Sequence, residues 1–489
     1  MPAFWIWIAV AGFALMGLGI ALAAARGNTG TAADYYLAGR RIGGVVAGLS
    51  YAATTYSAFM LVVLTGLTYS GGIGALGFEL VYFSGLTLLV VFGPRIWLVG
   101  RKWGFVTPAE MLGARYGSAW TARLTALVSL VFLMPYGTTQ LAGVGLLISG
   151  VTGGEISLGL AIGIGAALAM LWTLVAGLRS VAWTDAVQAC VMLVSGLLAI
   201  VFVTRAIGGP GAFARELVAQ RADWLAVPGP GLWSFGTFVA LSLPWFFFPL
   251  SNPQVSQRLF VLRDIFALRR MILWVLGFGL IFTLVAVTWG FAALILTPEL
   301  ELAANATPAL LASGAVPLPV ALLLVVGILS AAISTLDSIA LTLGSMVARD
   351  LAGQREGQDA RQLLLGRITV VLVILFAAFF ALRQAQIVSQ LAALSAAGLC
   401  VTVPAIVGAF FWWRGTAAGA IASLLGGAAL ALWLALGQGV SVFDPALALS
   451  VLGLSTVLFV IVSLVTRPRR EALDFEAHLR PDLYRHRIW

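Results

Sequence analysis

Long apolar runs separated by short polar segments dominate this chain. A helix needs about 20 apolar residues to cross a hydrocarbon layer of about 30 Å, and thirteen runs approach or exceed that length. They lie at 4–25, 43–70, 73–99, 121–148, 156–176, 181–204, 231–250, 268–297, 317–347, 367–382, 386–412, 416–436 and 445–466. The pattern predicts an all-α integral membrane protein with about 13 transmembrane helices, called spans 1–13 below in chain order.

Two of these spans carry polar or helix-breaking residues far from either membrane face. Span 2 contains "SYAATTYSA" (50–58), and span 7 contains "LPWFFFPLSNP" (243–253) with three prolines. Proline removes a backbone donor and clashes with the preceding turn. Non-helical backbone is tolerated at this depth only where protein covers it or where it lines a cavity. The sequence therefore predicts that both spans are broken.

The two broken spans divide the chain into matching groups. Spans 2–6 and spans 7–11 each contain five helices, so the second group crosses the membrane with opposite topology. Inverted repeats of this kind place a binding site at the midplane, where discontinuous helices meet. We therefore expect a leucine-transporter-like core of 5+5 helices. The predicted units are 1–41 (span 1 and a loop), 42–204 (repeat 1), 205–230 (an outer loop), 231–412 (repeat 2), 413–466 (two further helices) and 467–489 (a tail).

Charge supports this topology and excludes other classes of protein. Only 10% of residues are charged, against about a quarter in soluble domains. Of the 28 lysines and arginines, only Arg205, Arg215, Arg221 and Arg383 fall on one side, and the rest fall on the other. By the positive-inside rule, the N-terminus is extracytoplasmic and the tail is cytoplasmic in a plasma or inner membrane. The net charge of +9 thus reflects topology and contact with membrane lipid, and no nucleic-acid partner is expected.

A polar face on span 9 suggests a cation site. Ala331, Ser334, Thr335 and Ser338 recur at i, i+3, i+4 and i+7, so they share one helix face. Such hydroxyls often only bond back to the i−4 carbonyl. Opposite a broken helix, however, they would form an all-oxygen cage with the freed carbonyls, and hard cations prefer oxygen ligands. A monovalent cation such as sodium needs no ionised carboxylate there.

Four motifs give the chain a family resemblance over roughly residues 34–415. They are "DYYLAGRR" (34–41), "GLRSVAWTDAVQ" (177–188), "NPQVSQR" (252–258) and "SAAISTLDS" (330–338). Together they resemble the sodium:solute symporter family, which includes bacterial sodium/proline and sodium/sugar symporters. The resemblance implies a sodium ion held by the carbonyls of Ala53, Tyr56 and Ala331 and the hydroxyls of Ser334 and Thr335.

The resemblance also implies supporting residues around that ion. Ser57 is a neighbour of the site, and Asp185 is expected on the sodium exit route or in a helix-terminal pair. Asp337 is either a structural carboxylate or one that tunes the cation site, since an unpaired charge at this depth costs several kcal/mol. Where sodium/proline relatives carry an aspartate in the second helix, this chain has Thr55.

A substrate pocket is expected beside the sodium site. In sodium/sugar relatives, a glutamate at the place of Glu79 contacts substrate, although a structural role is the alternative. Span 7 departs from the sugar pattern, because Trp245 replaces an asparagine and Phe248 replaces a tyrosine gate. We group Asn252 with this pocket. Its apolar character favours a small amino acid or a carboxylate over a sugar.

The sequence therefore predicts a sodium-coupled symporter that imports a small organic solute, such as proline or pantothenate. A sodium/sugar-type symporter is the first alternative. A membrane sensor would need a cytoplasmic signalling domain, and 467–489 is too short for one. A membrane enzyme would need a catalytic cluster, but His478 and His486 both lie in the tail, and Cys190 and Cys400 fit as core residues. The oligomeric state is not predicted.

Overall fold

The computed structural model describes residues 1–26, 31–353, 359–384 and 388–486. Within them, eleven helices are long and apolar enough to cross a membrane, and a bent pair makes a twelfth. The eleven are Ala3–Ala25, Gly74–Trp103, Ala119–Val151, Leu158–Val175, Gly177–Ala206, Ile265–Leu296, Leu318–Leu351, Asp359–Arg383, Gln390–Phe411, Ala417–Gly437 and Pro445–Val465. The bent pair is Gly44–Thr55 with Phe59–Gly71. The all-α membrane class is confirmed. Some predicted positions lie outside the described residues. They are residues 386 and 387 of span 11, and Arg355 and Arg487 from the count of basic residues on one side of the membrane.

Span 7 accounts for the difference between the thirteen predicted spans and the twelve observed when the bent span 2 is counted as one. It consists of one 12-residue helix, Phe235–Phe246, followed by the short helices Phe248–Ser251 and Pro253–Ser256. The first falls short of the bilayer thickness, since about 20 residues are needed. The prolines of this segment interrupt the backbone ladder, so the expected break is present and removes span 7 from the count of continuous helices.

Shorter helices connect the spans or cover their ends. They are Ala32–Leu37, Pro108–Tyr116, Pro210–Leu225, Ala306–Ala312 and Phe475–Arg485. Spans 5 and 6 meet at Gly177, where φ is 59°, in the left-handed region that favours glycine. A side chain at Gly177 would also overlap Tyr35. This turn therefore brings "DYYLAGRR" against "GLRSVAWTDAVQ", and Arg179 forms an ion pair of 2.7 Å with Asp34.

The two broken spans are joined by backbone hydrogen bonds on the arginine-rich side of the molecule. The Ile42 amide, just before span 2, donates to the Val261 carbonyl at 3.2 Å. The Arg263 amide, just after span 7, donates to the Ile42 carbonyl at 3.2 Å. Trp97 at the end of span 3 donates its indole N–H to the Leu262 carbonyl at 3.1 Å. Three spans are thus tied together at one level.

The tail helix Phe475–Arg485 packs on the same side. Its Phe475, Leu479 and Leu483 are buried, as the i, i+4 spacing of one helix face requires. The Phe475 ring lies 5.2 Å from that of Trp103 and 5.6 Å from that of Phe410. The tail therefore covers the ends of spans 3 and 11.

Replacing Phe475 with alanine is expected to release the tail helix. Truncating a buried phenylalanine costs about 3–5 kcal/mol, and about 3 kcal/mol corresponds to a hundredfold shift of the docking equilibrium. Trypsin should then cleave after Arg485, at the end of this helix, at least about a hundred times faster, because cleavage follows the population of the open form. Tyr484→Ala is the matched control, since this aromatic residue of the same helix is 64% exposed. Equal cleavage rates in the two variants would contradict the packing role.

Candidate cation and solute site

Span 2 leaves the helical conformation at the point where the sequence becomes polar. The helix Gly44–Thr55 ends at Tyr56, whose φ is −93° and ψ is 75°. The chain resumes as a π-helix over Phe59–Leu64 and bends by 46°. In an unbroken helix, each carbonyl accepts from the amide four residues later. The break therefore leaves carbonyls near residue 53 available to other donors.

Span 9 presents its hydroxyl pair to these carbonyls. The Ser334 hydroxyl donates to the Ala53 carbonyl at 3.0 Å, and the Thr335 hydroxyl lies 3.4 Å from the same oxygen and 3.1 Å from the Thr54 carbonyl. Both hydroxyls also lie within 3.2 Å of the Ala331 carbonyl. Four of the five predicted sodium ligands thus meet in one place. No described hydroxyl bonds to the carbonyl of the fifth, Tyr56, which stands at the break itself.

The residues present fit a monovalent cation. The four atoms that meet are all oxygens, which hard cations prefer as ligands. None carries a formal charge, and a singly charged ion does not need a charged ligand. All four residues are buried, so the site excludes bulk water. Ser334 and Thr335 each also bond back toward Ala331, which is the ordinary behaviour of membrane hydroxyls. Unlike hydroxyls that bond only to their own helix, these two also bond to carbonyls of span 2.

A buried ion pair lies one turn beyond the hydroxyl pair. The Arg258 guanidinium donates to Asp185 at 2.6 Å and to the Ser338 hydroxyl at 2.6 Å. Ser338 donates in turn to the Ser334 carbonyl at 2.7 Å. Ser50 of span 2 completes the network, since it donates to Asp185 at 2.8 Å and accepts from Arg258 at 3.0 Å. Spans 2, 6, 7 and 9 therefore meet at one pair of opposite charges.

This network unites motifs that are far apart in sequence. Arg258 ends "NPQVSQR", Asp185 lies in "GLRSVAWTDAVQ", and Ser338 ends "SAAISTLDS". Arg258 is 3% exposed, so it lies inside the protein, and its assignment to one side of the membrane stays a prediction. Sequence reasoning missed Arg258 and Ser50 as site residues, although Arg258 lay inside a motif already singled out. Asp337 is buried in span 9, and its role stays a prediction.

The proposed substrate residues fall into two places. Trp245 and Phe248 stack with ring centres 5.2 Å apart. Phe59, Tyr82 and Tyr136 surround them with ring distances of 4.8–6.1 Å from Trp245, and we call these five residues the aromatic cluster. Ser57 faces this cluster, since its hydroxyl lies 3.1 Å from that of Tyr136.

Glu79 adjoins the aromatic cluster, whereas Asn252 bonds locally. Glu79 precedes Tyr82 by one helical turn and is fully buried. Its Oε1 accepts from the Thr283 hydroxyl of span 8 at 3.5 Å. The Asn252 side chain bonds to Ser251 at 3.1 Å and to Gln254 at 3.2 Å. The structure thus brings Glu79, Trp245 and Phe248 together, but not Asn252. Tyr82, Tyr136 and Thr283 also lie here, although the sequence analysis did not select them. Of these, only Tyr82 could have been identified from the sequence, by its i+3 spacing to Glu79.

A membrane-transport family is found when the chain is compared with known proteins. The model of the sodium:solute symporter family matches residues 35–427. The osmoregulated proline transporter OpuE of Bacillus subtilis is 26% identical over 459 residues, which are 89% of each chain. The sodium/glucose cotransporter of Vibrio parahaemolyticus is 24% identical over 85% of this chain and 82% of its own. The sodium/pantothenate symporter of Escherichia coli is 29% identical over 43% of this chain and 46% of its own.

Solved structures show the same fold. A substrate-bound, outward-open Na+-coupled sialic acid symporter superposes with a TM-score of 0.79 over 96% of this chain and 99% of its own, at 18% identity. The nucleobase-cation-symport-1 family transporter Mhp1, in a closed conformation with bromovinylhydantoin bound, gives a TM-score of 0.57 over 89% of this chain and 96% of its own, at 16% identity. These likenesses confirm the leucine-transporter-like fold. With the family match over most of its length, the chain belongs to the sodium:solute symporter family.

Proposed function

We propose that this protein is a sodium-coupled symporter that imports a small organic solute by alternating access. The observation that carries the proposal is the meeting of the Ser334 and Thr335 hydroxyls with the Ala53 carbonyl at the break of span 2. Ala53, Tyr56, Ala331, Ser334 and Thr335 would hold the sodium ion. A bound sodium ion would attract oxygens of both span 2 and span 9. It would therefore hold the two spans together more strongly than the hydrogen bonds of the hydroxyls do alone.

The position of the solute residues supports coupling between ion and solute. Tyr56 belongs to the break, and its ring lies 5.9 Å from that of Tyr82 in the aromatic cluster. An ion that fixes the break therefore also fixes one side of the solute pocket. By linkage, the solute then tightens sodium binding by the same factor. Spans 2–6 and 7–11 would form the inverted repeats, and movement of one group against the other would open the site to each side in turn.

Uptake by proteoliposomes tests the proposal. The full chain is reconstituted and supplied with labelled proline, glycine betaine, pantothenate and glucose, under an inward sodium gradient or an equal potassium gradient. We expect accumulation of at least one solute with sodium and none with potassium, and collapse of the sodium gradient with an ionophore should abolish it. Accumulation that is the same in both salts would overturn sodium coupling.

The proposed membrane orientation has a test of its own. With 24 of the 28 lysines and arginines on one side, the positive-inside rule places the tail in the cytoplasm of a bacterial-type inner membrane. A fluorescent protein that matures only in the cytoplasm should therefore fluoresce when fused after Trp489, and alkaline phosphatase fused at the same point should be inactive. The reverse pattern would invert the orientation of every span.

A further inference from the structure

Glu79 is a buried carboxylate whose second oxygen has no partner. Its side chain is 0% exposed, and Oε1 accepts only the 3.5 Å hydrogen bond from Thr283. Oε2 has no hydrogen-bond partner among the described residues, and no described salt bridge includes Glu79. An unpaired buried charge costs several kcal/mol. A buried carboxyl group is stable when it is protonated, hydrated or paired with a positive group, and a bound solute can supply the last of these.

The protein supplies no cation to Glu79. Among the described residues, only three arginines and no lysine are buried, and each has its place elsewhere. Arg258 pairs with Asp185, Arg115 donates to the carbonyls of Ala409 and Trp412, and Arg95 lies over the Phe411 ring at 4.9 Å. A positive partner for Glu79 would therefore come from outside the described residues.

The surroundings of Glu79 are aromatic and contain an unused hydroxyl. The Tyr56 hydroxyl packs against Gly279, where any side chain would overlap it. Thr283, which donates to Glu79, follows Gly279 by one turn. Positions 279 and 283 share one face of span 8, so the Tyr56 hydroxyl and Glu79 both contact this face. The Tyr56 hydroxyl also has no hydrogen-bond partner among the described residues. Glu79 and Tyr56 thus each have a buried polar atom whose hydrogen-bonding capacity no described residue uses.

Ring faces complete the enclosure. Tyr82, one turn after Glu79, has its ring 5.9 Å from Tyr56, 5.2 Å from Trp245 and 5.5 Å from Phe248. The negative faces of such rings attract a cation within about 6 Å, most strongly at tryptophan and when water is excluded. A carboxylate beside several aromatic faces suits an ammonium group, because the carboxylate and the rings both attract its positive charge.

We propose that Glu79, Tyr56, Tyr82, Trp245 and Phe248 form an amine site that binds the positively charged nitrogen of the transported solute. The solute class is then a compact amine, either a zwitterionic amino acid or a quaternary ammonium compound, and not a sugar or a simple carboxylate such as pantothenate. This inference rests on the proposed function and narrows it. Sodium is assigned to the separate hydroxyl pair on span 9.

Shape-matched solute pairs that differ in one positive charge test the amine site on the unaltered protein. Glycine betaine is compared with 3,3-dimethylbutanoate, and proline with cyclopentanecarboxylate, so that only the positive nitrogen is lost. Removing one partner of a buried charge pair costs enough to weaken binding at least about thirtyfold. We expect sodium-driven uptake, and competition for it, from at least one amine, with its isostere that lacks the positive nitrogen at least about thirtyfold weaker. Glucose and pantothenate should not compete.

A variant provides the second measurement. Glu79→Gln keeps the shape of the side chain and removes its charge, so affinity for the preferred amine should fall at least about thirtyfold. Sodium affinity in the absence of solute should stay within about twofold. Glu299→Gln, at an exposed carboxylate, is the control and should change neither. If Glu79→Gln does not fold, the isostere pairs on the unaltered protein decide alone.

The outcomes separate this inference from the proposed function. Sodium-driven uptake of glucose or pantothenate without any response to amines would overturn the amine site and leave symport intact. Equal affinity for an amine and its isostere, or full amine affinity in folded Glu79→Gln, would also overturn it. Absence of sodium-driven uptake of any solute by folded protein would overturn the proposed function instead.

Discussion

Replacing Ser334 and Thr335 together with alanine is expected to lower sodium affinity at least tenfold. The double substitution removes two of about five oxygen ligands. Each contributes about 1–2 kcal/mol if it behaves like a hydrogen bond to a charged group, and 1.4 kcal/mol is a factor of ten. Sodium titration of the purified, folded variant, followed by protection against thermal unfolding, measures the change. Solute affinity at saturating sodium should change far less, because Glu79 and the aromatic cluster lie elsewhere.

Ser330→Ala provides the matched control for this prediction. Ser330 is a buried hydroxyl on the same helix, one turn before Ser334, and it has no hydrogen-bond partner among the described residues. Its removal should leave sodium affinity unchanged. Unaltered sodium affinity in the double variant would eliminate the proposed site. Asp337→Asn extends the series, since a loss of stability with normal sodium affinity marks a structural carboxylate, and a loss of affinity in folded protein marks one that tunes the ion.

Replacing Asp185 with asparagine is expected to lower the free energy of unfolding by about 3–5 kcal/mol, as breaking a buried ion pair does when one partner is left uncompensated. Arg258 would remain 3% exposed, with a positive charge and only neutral acceptors around it. Equilibrium unfolding in detergent, read by tryptophan fluorescence, measures the loss.

An exposed ion pair supplies the control for Asp185→Asn. Arg263 and Asp264 lie 3.0 Å apart with side chains 58% and 43% exposed, and exposed pairs contribute about 0–1 kcal/mol. Asp264→Asn keeps a residue that can cap the helix beginning at Ile265, so it should cost at most about 1 kcal/mol. Replacing both Asp185 and Arg258 with leucine and methionine should recover much of the lost stability. Equal losses for Asp185→Asn and Asp264→Asn would contradict the buried pair.

The fold was largely predictable because each decisive signal is local in sequence. A run of about 20 apolar residues predicts a span wherever it occurs, and the prolines of span 7 predict its break from their own covalent geometry. The hydroxyl pair of span 9 was likewise readable from helical spacing. The exact number of continuous spans could not be predicted, because a broken helix and an unbroken helix have similar mean apolarity.

The pairings between spans were not predictable from one sequence. Arg258 and Asp185 are 73 positions apart, and nothing in either segment specifies the other as a partner. The charge pattern counted Arg258 as one of the basic residues on one side of the membrane and gave no sign that it is buried. Thr283 presents the same difficulty, because a single threonine in an apolar helix most often bonds back to its own backbone. Only the packing of span 8 against span 3 identifies it as the partner of Glu79.

The backbone bonds between Ile42 and the segment Val261–Arg263 have a mechanical consequence. They fasten the arginine-rich ends of spans 2 and 7 to each other, so we expect these two half-helices to move together. We expect the pivots at Tyr56 and Asn252, where the backbone leaves the helical conformation. A disulfide between positions 42 and 262 should therefore leave transport intact, whereas stiffening either pivot should stop it.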